Sequence, residues 1–100
     1  MIRPLPLIVA LAALTSPALA SSEDAWAAFR QDVARACAAL VPVPEGGALT
    51  VEVNPFGSER FGAALVTLTL ADTSADRMIC IYDKSTRAAE ITAPFAVARP

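Results

Sequence analysis

The sequence predicts an α+β domain in which one N-terminal helix packs on a four-stranded antiparallel sheet and one disulfide joins the two layers. Three observations predict this fold class. Large apolar residues recur at three- and four-residue spacings up to Leu40, whereas from Ala48 onward they recur at every second position. The two cysteines fall one in each of these parts. A ferredoxin-like arrangement is disfavoured, because the chain after Leu70 has no sequence for a second crossover helix.

The first twenty residues have the pattern of an export signal. Arg3 supplies a positive charge, residues 5–14 form an apolar run, and Ala18 and Ala20 make an A-x-A cleavage site. An uncleaved anchor is disfavoured, because a run of about ten apolar residues is shorter than the roughly 20 that a spanning helix needs. We expect residues 1–20 to be a signal peptide and residues 21–100 to be a single small domain, periplasmic or secreted, with no membrane span after cleavage.

A helix is predicted over residues 23–40. Ser21 and Ser22 suit the N-cap, acidic residues follow in the first turn, and Pro42 stops the helix. Its large apolar residues share one stripe, which we expect to face the sheet: Trp26, Phe29, Val33, Cys37 and Leu40.

Four segments after the helix have strand patterns. Turn-forming residues separate them, which predicts an antiparallel meander. The third segment is nearly continuous in its hydrophobicity, as expected of a central strand that is covered on both faces, whereas the fourth is more polar and suits a sheet edge. The predicted strands cover residues 48–53, 61–70, 77–82 and 87–92.

Cys37 and Cys80 are expected to form a structural disulfide. Cys37 lies on the apolar stripe of the helix, and Cys80 shares its strand face with Met78 and Tyr82, so that face should lie under the helix. Closing a loop of about 44 residues is worth roughly 4 kcal/mol in the chain-entropy model. A redox role is disfavoured, because the spacing is not Cys-x-x-Cys.

The residue types needed for common catalytic and metal sites are scarce. The chain has no histidine, which excludes Ser-His and Cys-His catalysis within it, and two distant cysteines cannot build a zinc site. No phosphate-binding glycine motif occurs. Asp72, Asp76 and Glu59 are expected to be solvated turn carboxylates and not an acid–base pair or a calcium loop. We therefore expect no enzyme activity, no metal and no cofactor.

The charge balance disfavours nucleic acid and anionic membranes as partners. Arg3 is one of the eight basic residues, so residues 21–100 carry seven basic against ten acidic residues, a net charge of −3. The basic residues are scattered, whereas such partners need a clustered basic patch.

Two segments are candidates for an interaction surface. If Cys80 faces the helix, Ile79 and Ile81 point to the other side of the sheet, where Leu65 of the neighbouring strand joins them. Either a partner covers this apolar patch, or the C-terminal tail with Phe95 folds over it. Separately, Phe56 lies in a glycine-flanked connection, residues 54–62, where it is either part of a binding loop or a plug for the open end of the core.

These observations predict a small exported binding or accessory protein without catalytic activity, monomeric or weakly dimeric, that contacts a protein partner. One alternative is a subunit or assembly factor of a larger periplasmic enzyme. Another is a carboxylate-dependent hydrolase, for which a convergent pair of carboxylates is missing from the sequence pattern.

Overall fold

The structure is a computed structural model that describes residues 22–96, and it confirms the predicted α+β fold class. One helix packs on one face of an antiparallel sheet whose strand order is the same as the order in the chain. The predicted signal peptide and the last four residues lie outside the described residues. The elements are α1 (Glu23–Ala38), β1 (Ala48–Val53), β2 (Phe61–Thr69), β3 (Ala75–Asp83) and β4 (Ala89–Ile91).

The helix begins where the sequence predicts and ends two residues earlier. The Ser22 hydroxyl accepts a hydrogen bond from the Ala25 backbone N–H at 3.0 Å, which caps the first turn. Ala39 still donates its N–H to the carbonyl four residues back, but the N–H groups of Leu40 and Val41 reach only three residues back, and the bond from Val41 is the last before Pro42. Leu40, predicted to lie on the apolar stripe, is consequently 40% exposed, and Val41 is buried in its place. No helix within residues 22–96 is both long and apolar enough to cross a membrane.

Five strand boundaries differ from the prediction by one or two residues, and the two largest shifts are at the starts of β3 and β4. β3 begins at Ala75 because Ala75 and Asp76 still pair with the end of β2. β4 begins at Ala89 because Arg87, at φ 67°, is part of the turn that closes with a hydrogen bond from the Asp83 N–H to the Ala88 carbonyl. These shifts leave the alternation of faces unchanged.

The core lies between α1 and the inner face of the sheet, which is defined here as the face that the helix covers. Cys37 and Cys80 form the predicted disulfide with a Cα–Cα distance of 5.9 Å, and both are fully buried. The other buried apolar residues of this core are Val33, Val41, Ala64, Val66, Leu68, Met78 and Tyr82.

Gly62 allows the helix to approach the sheet closely. A Cβ atom at this position would lie 2.9 Å from Phe29 Cζ and 2.9 Å from Val33 Cγ2. Any side chain there would therefore push the helix away from β2.

Candidate functional site

Four apolar side chains form one block on the outer face of the sheet, opposite the helix, and Phe61 lies on the same face beyond one end of the block. The register pairs Leu65 with Ile79 and Ala63 with Ile81, so the four occupy adjacent positions on the two central strands. Ile81 is 39% exposed and the other three are half-buried. We call Ala63, Leu65, Ile79 and Ile81 the outer quartet.

Two carboxylates flank the outer quartet at opposite corners. Glu52 of β1 pairs with Leu65, and Glu90 of β4 pairs with Ile81. Both are exposed. Within residues 22–96 the ion pairs are Arg30–Glu23 and Arg35–Asp32, and neither involves these two glutamates.

Two shallow depressions adjoin each other on this face. Their volumes are about 250 and 560 Å³, and Asn54 and Ala63 line both of them. Ala63 was not among the residues that the sequence pattern indicated. Its small side chain between larger neighbours leaves the space that the depressions occupy, and no periodicity signal marks such a position.

The tail runs beside β3 and not over the outer quartet. Thr92 donates its N–H to the Ile79 carbonyl at 3.0 Å, and its hydroxyl accepts the Ile79 N–H at 3.0 Å. Phe95 then donates its N–H to the Arg77 carbonyl at 2.9 Å. The Phe95 side chain is 60% exposed. Within residues 22–96, Phe95 therefore does not cover the outer quartet. Val97 lies outside the described residues.

Phe56 belongs to a different surface from the three predicted sheet residues. Its ring packs edge-on against Trp26 of the helix, with ring centroids 4.9 Å apart, and 52% of the residue stays exposed. Trp26 contacts Phe29 in the same way, and Phe29 contacts Tyr82. The sheet residues Leu65, Ile79 and Ile81 thus lie together, while Phe56 extends an aromatic row on the helix side.

Lys84 fastens the loop that carries Phe56. Its Nζ donates to the Phe56 carbonyl at 3.0 Å and to the Ser58 carbonyl at 2.6 Å. The same ammonium lies 5.3 Å from the Trp26 ring centroid and 5.1 Å from that of Phe29. These contacts hold the loop against the helix, and both interpretations of Phe56, as a plug and as part of a binding loop, stay predictions.

Two aspartates stabilise turns: Asp72, one of the three carboxylates considered from the sequence, and Asp83. Asp72 accepts hydrogen bonds from the Ser74 hydroxyl at 2.6 Å and the Ser74 N–H at 2.9 Å, and these bonds lower the pKa of its carboxyl. Asp83 accepts the Ser85 and Thr86 N–H groups at 2.8 and 3.1 Å, and the Thr86 and Ser85 bonds lower its pKa as well. A lowered pKa keeps both groups ionised at neutral pH, which is the opposite of what a general acid needs.

Potential metal ligands are not grouped in the described part of the chain. Residues 22–96 hold no cluster of three or more Cys, Asp or Glu side chains that is arranged for an ion.

No family model, curated protein or solved structure matches the chain.

Proposed function

We propose that this protein is an exported, non-catalytic binding or accessory protein that holds a protein partner on the outer face of its sheet. The observation that carries the proposal is the outer quartet, where apolar side chains of both central strands lie together and Ile81 is 39% exposed. Burial of apolar surface is worth about 25 cal/mol per Å², so a partner that covers this patch gains free energy.

Export is supported by the disulfide, because such bonds form and persist in oxidising compartments. The sequence pattern of residues 1–20 adds a route to such a compartment. We expect the exported protein to begin at Ser21, and intact mass spectrometry of the periplasmic and extracellular fractions tests this. A species that retains residues 1–20 in those fractions would contradict it.

The reactive side chains favour a binding role over catalysis, because several of them are already engaged in structural bonds. Both cysteines are fully buried in the disulfide, and the carboxylates of Asp72 and Asp83 are occupied by turn hydrogen bonds. The sequence contains no histidine. Together these features favour a binding role over a carboxylate-dependent hydrolase.

The size of the outer quartet favours an accessory role over a permanent enzyme subunit. Obligate interfaces commonly bury 2,000 Å² or more in total and have large apolar cores, whereas transient contacts bury less. Four side chains on one sheet face, with charged residues at two corners, suit the smaller class.

Site-specific photo-crosslinking in the exporting cell tests the proposal. A photoreactive residue at Ile81 should give a discrete crosslinked species. The same residue at Ala75, an exposed position on the same face of β3, should give none or much less. Equal crosslinking from both positions, or none from Ile81, would contradict the proposal.

A further inference from the structure

We infer that the partner is a protein segment with two basic side chains that flank an apolar centre, and specifically an amphipathic helix. This inference rests on the proposed function, because it concerns the same face. It starts from the placement of Glu52 and Glu90 around the outer quartet.

The register fixes how far apart the two carboxylates lie. Glu52 is on one edge strand and Glu90 on the other, so three strand spacings of about 4.8 Å separate them across the sheet. They also differ by two residues along the strands, which adds about 7 Å in the perpendicular direction. The diagonal between their Cα positions is therefore about 16 Å, with the outer quartet at its middle.

No basic side chain of the described residues neutralises these carboxylates. The other charged side chains on this face lie at its two ends. Arg77 pairs with Thr67 beyond one end of the outer quartet, and Asp83 lies beyond the other end, where Arg60 acts on its charge. Neither Glu52 nor Glu90 forms an ion pair within residues 22–96. The outer quartet is consequently apolar with negative charge on both sides.

A second copy of the chain is disfavoured by this charge pattern. In a two-fold dimer the same patch meets itself, so the glutamates of one copy lie over the patch of the other. An axis along or across the strands brings a glutamate of each copy within about 7 Å laterally, and an axis along the line from Glu52 to Glu90, or at right angles to it, places glutamates directly opposite each other. Like charges that face each other in an interface oppose association. An anionic membrane is disfavoured for the same reason.

A helix with basic ends matches both the apolar centre and the spacing. At 1.5 Å rise per residue, about 16 Å corresponds to about eleven residues. Positions i, i+4, i+7 and i+11 lie on one helix face. A partner with basic residues at i and i+11 and apolar residues at i+4 and i+7 can therefore contact both glutamates and the outer quartet at the same time.

Two synthetic helical peptides test the inference. They share leucines at i+4 and i+7 and differ only at i and i+11, which are lysine in one and glutamate in the other. The exported protein should bind the lysine peptide about tenfold more tightly at low ionic strength, and added salt should reduce this ratio. The Glu52→Gln/Glu90→Gln variant should bring the ratio close to one. A Glu45→Gln/Glu59→Gln control, in exposed loops outside the outer quartet, should keep it.

Three results would overturn the inference: equal binding of the two peptides, binding of neither, or a preference that survives in the Glu52→Gln/Glu90→Gln variant. Crosslinking from Ile81 separates this failure from failure of the proposed function. If crosslinking from Ile81 succeeds while the peptides show no charge preference, the function stands and the basic helix is wrong. If crosslinking from Ile81 also fails, the binding face itself is wrong.

Discussion

The two faces of β3 have similar apolar composition and different environments. On the inner face Cys80 is fully buried and Tyr82 is 4% exposed, whereas Ile81 between them is 39% exposed on the outer face. The helix and the disulfide cover the inner face, and the described residues leave the outer quartet open. The fold of residues 22–96 therefore accounts for the apolar residues of one face, and those of the other face need an explanation outside these residues.

Removal of the disulfide should have the largest effect, because it breaks the inner face directly. Cys37→Ala/Cys80→Ala should lower the free energy of unfolding by about 2 to 5 kcal/mol, measured by urea denaturation. Ile81→Ala, next to Cys80 on the open face, should cost clearly less. Equal losses in the two variants would contradict the difference between the faces.

Larger side chains at two adjacent residues of β2 should change the free energy of unfolding by different amounts on the two faces. Gly62→Ala should cost about 1 to 3 kcal/mol, because the new methyl group meets Phe29 and Val33 at 2.9 Å. Ala63→Val adds more volume on the outer face and should change the free energy of unfolding by about 0.5 kcal/mol or less. Thermal melts of both variants test this, and a larger loss in Ala63→Val would show that the outer face is closed.

Lys84→Met should loosen the helix side without changing the outer face. The variant loses two hydrogen bonds to carbonyls and two contacts with aromatic rings, which we expect to cost about 1 to 2 kcal/mol. Hydrogen exchange of residues 54–60 should speed up while exchange across β3 and β4 stays unchanged. Arg87→Met, a nearby exposed cation, serves as the control. Unchanged exchange in residues 54–60 would contradict the role given to Lys84.

Acid should weaken the turns that flank β3. Hydrogen bonds hold the pKa of Asp72 and that of Asp83 below the ordinary value of 3.8. The stability they contribute is complete above that value and is lost as the pH falls through the lower folded-state pKa. Urea midpoints measured between about pH 5 and pH 2 should fall less steeply in Asp72→Asn/Asp83→Asn than in the native protein. Identical slopes would contradict this effect.

Local patterns predicted most of the fold. The spacing of Phe29, Val33 and Cys37 placed the helix stripe, and alternation along β3 placed Cys80 and Ile81 on opposite faces. The prediction that Leu40 lies on the apolar stripe is wrong, because helical periodicity does not indicate that the last turn tightens before Pro42.

The candidate site was harder to predict, since it depends on contacts between distant residues. Lys84 reaches the Phe56 carbonyl across 28 positions of the chain, and no local pattern signals that contact. The corner positions of Glu52 and Glu90 follow only from the observed register of all four strands. The sequence indicates Phe56 and Ile81 as two candidate surface positions without showing whether they share a surface, and the structure places Phe56 on the helix side.

Sedimentation of tagged Ile81→Lys in native exported extract, compared with Ala75→Lys, tests whether the outer face holds a partner. If it does, Ile81→Lys loses the faster-sedimenting complex while its free energy of unfolding changes by about 0.5 kcal/mol or less, and Ala75→Lys keeps the complex. A complex that survives in Ile81→Lys, or a loss of several kcal/mol because the lysine is buried inside the chain, would contradict it.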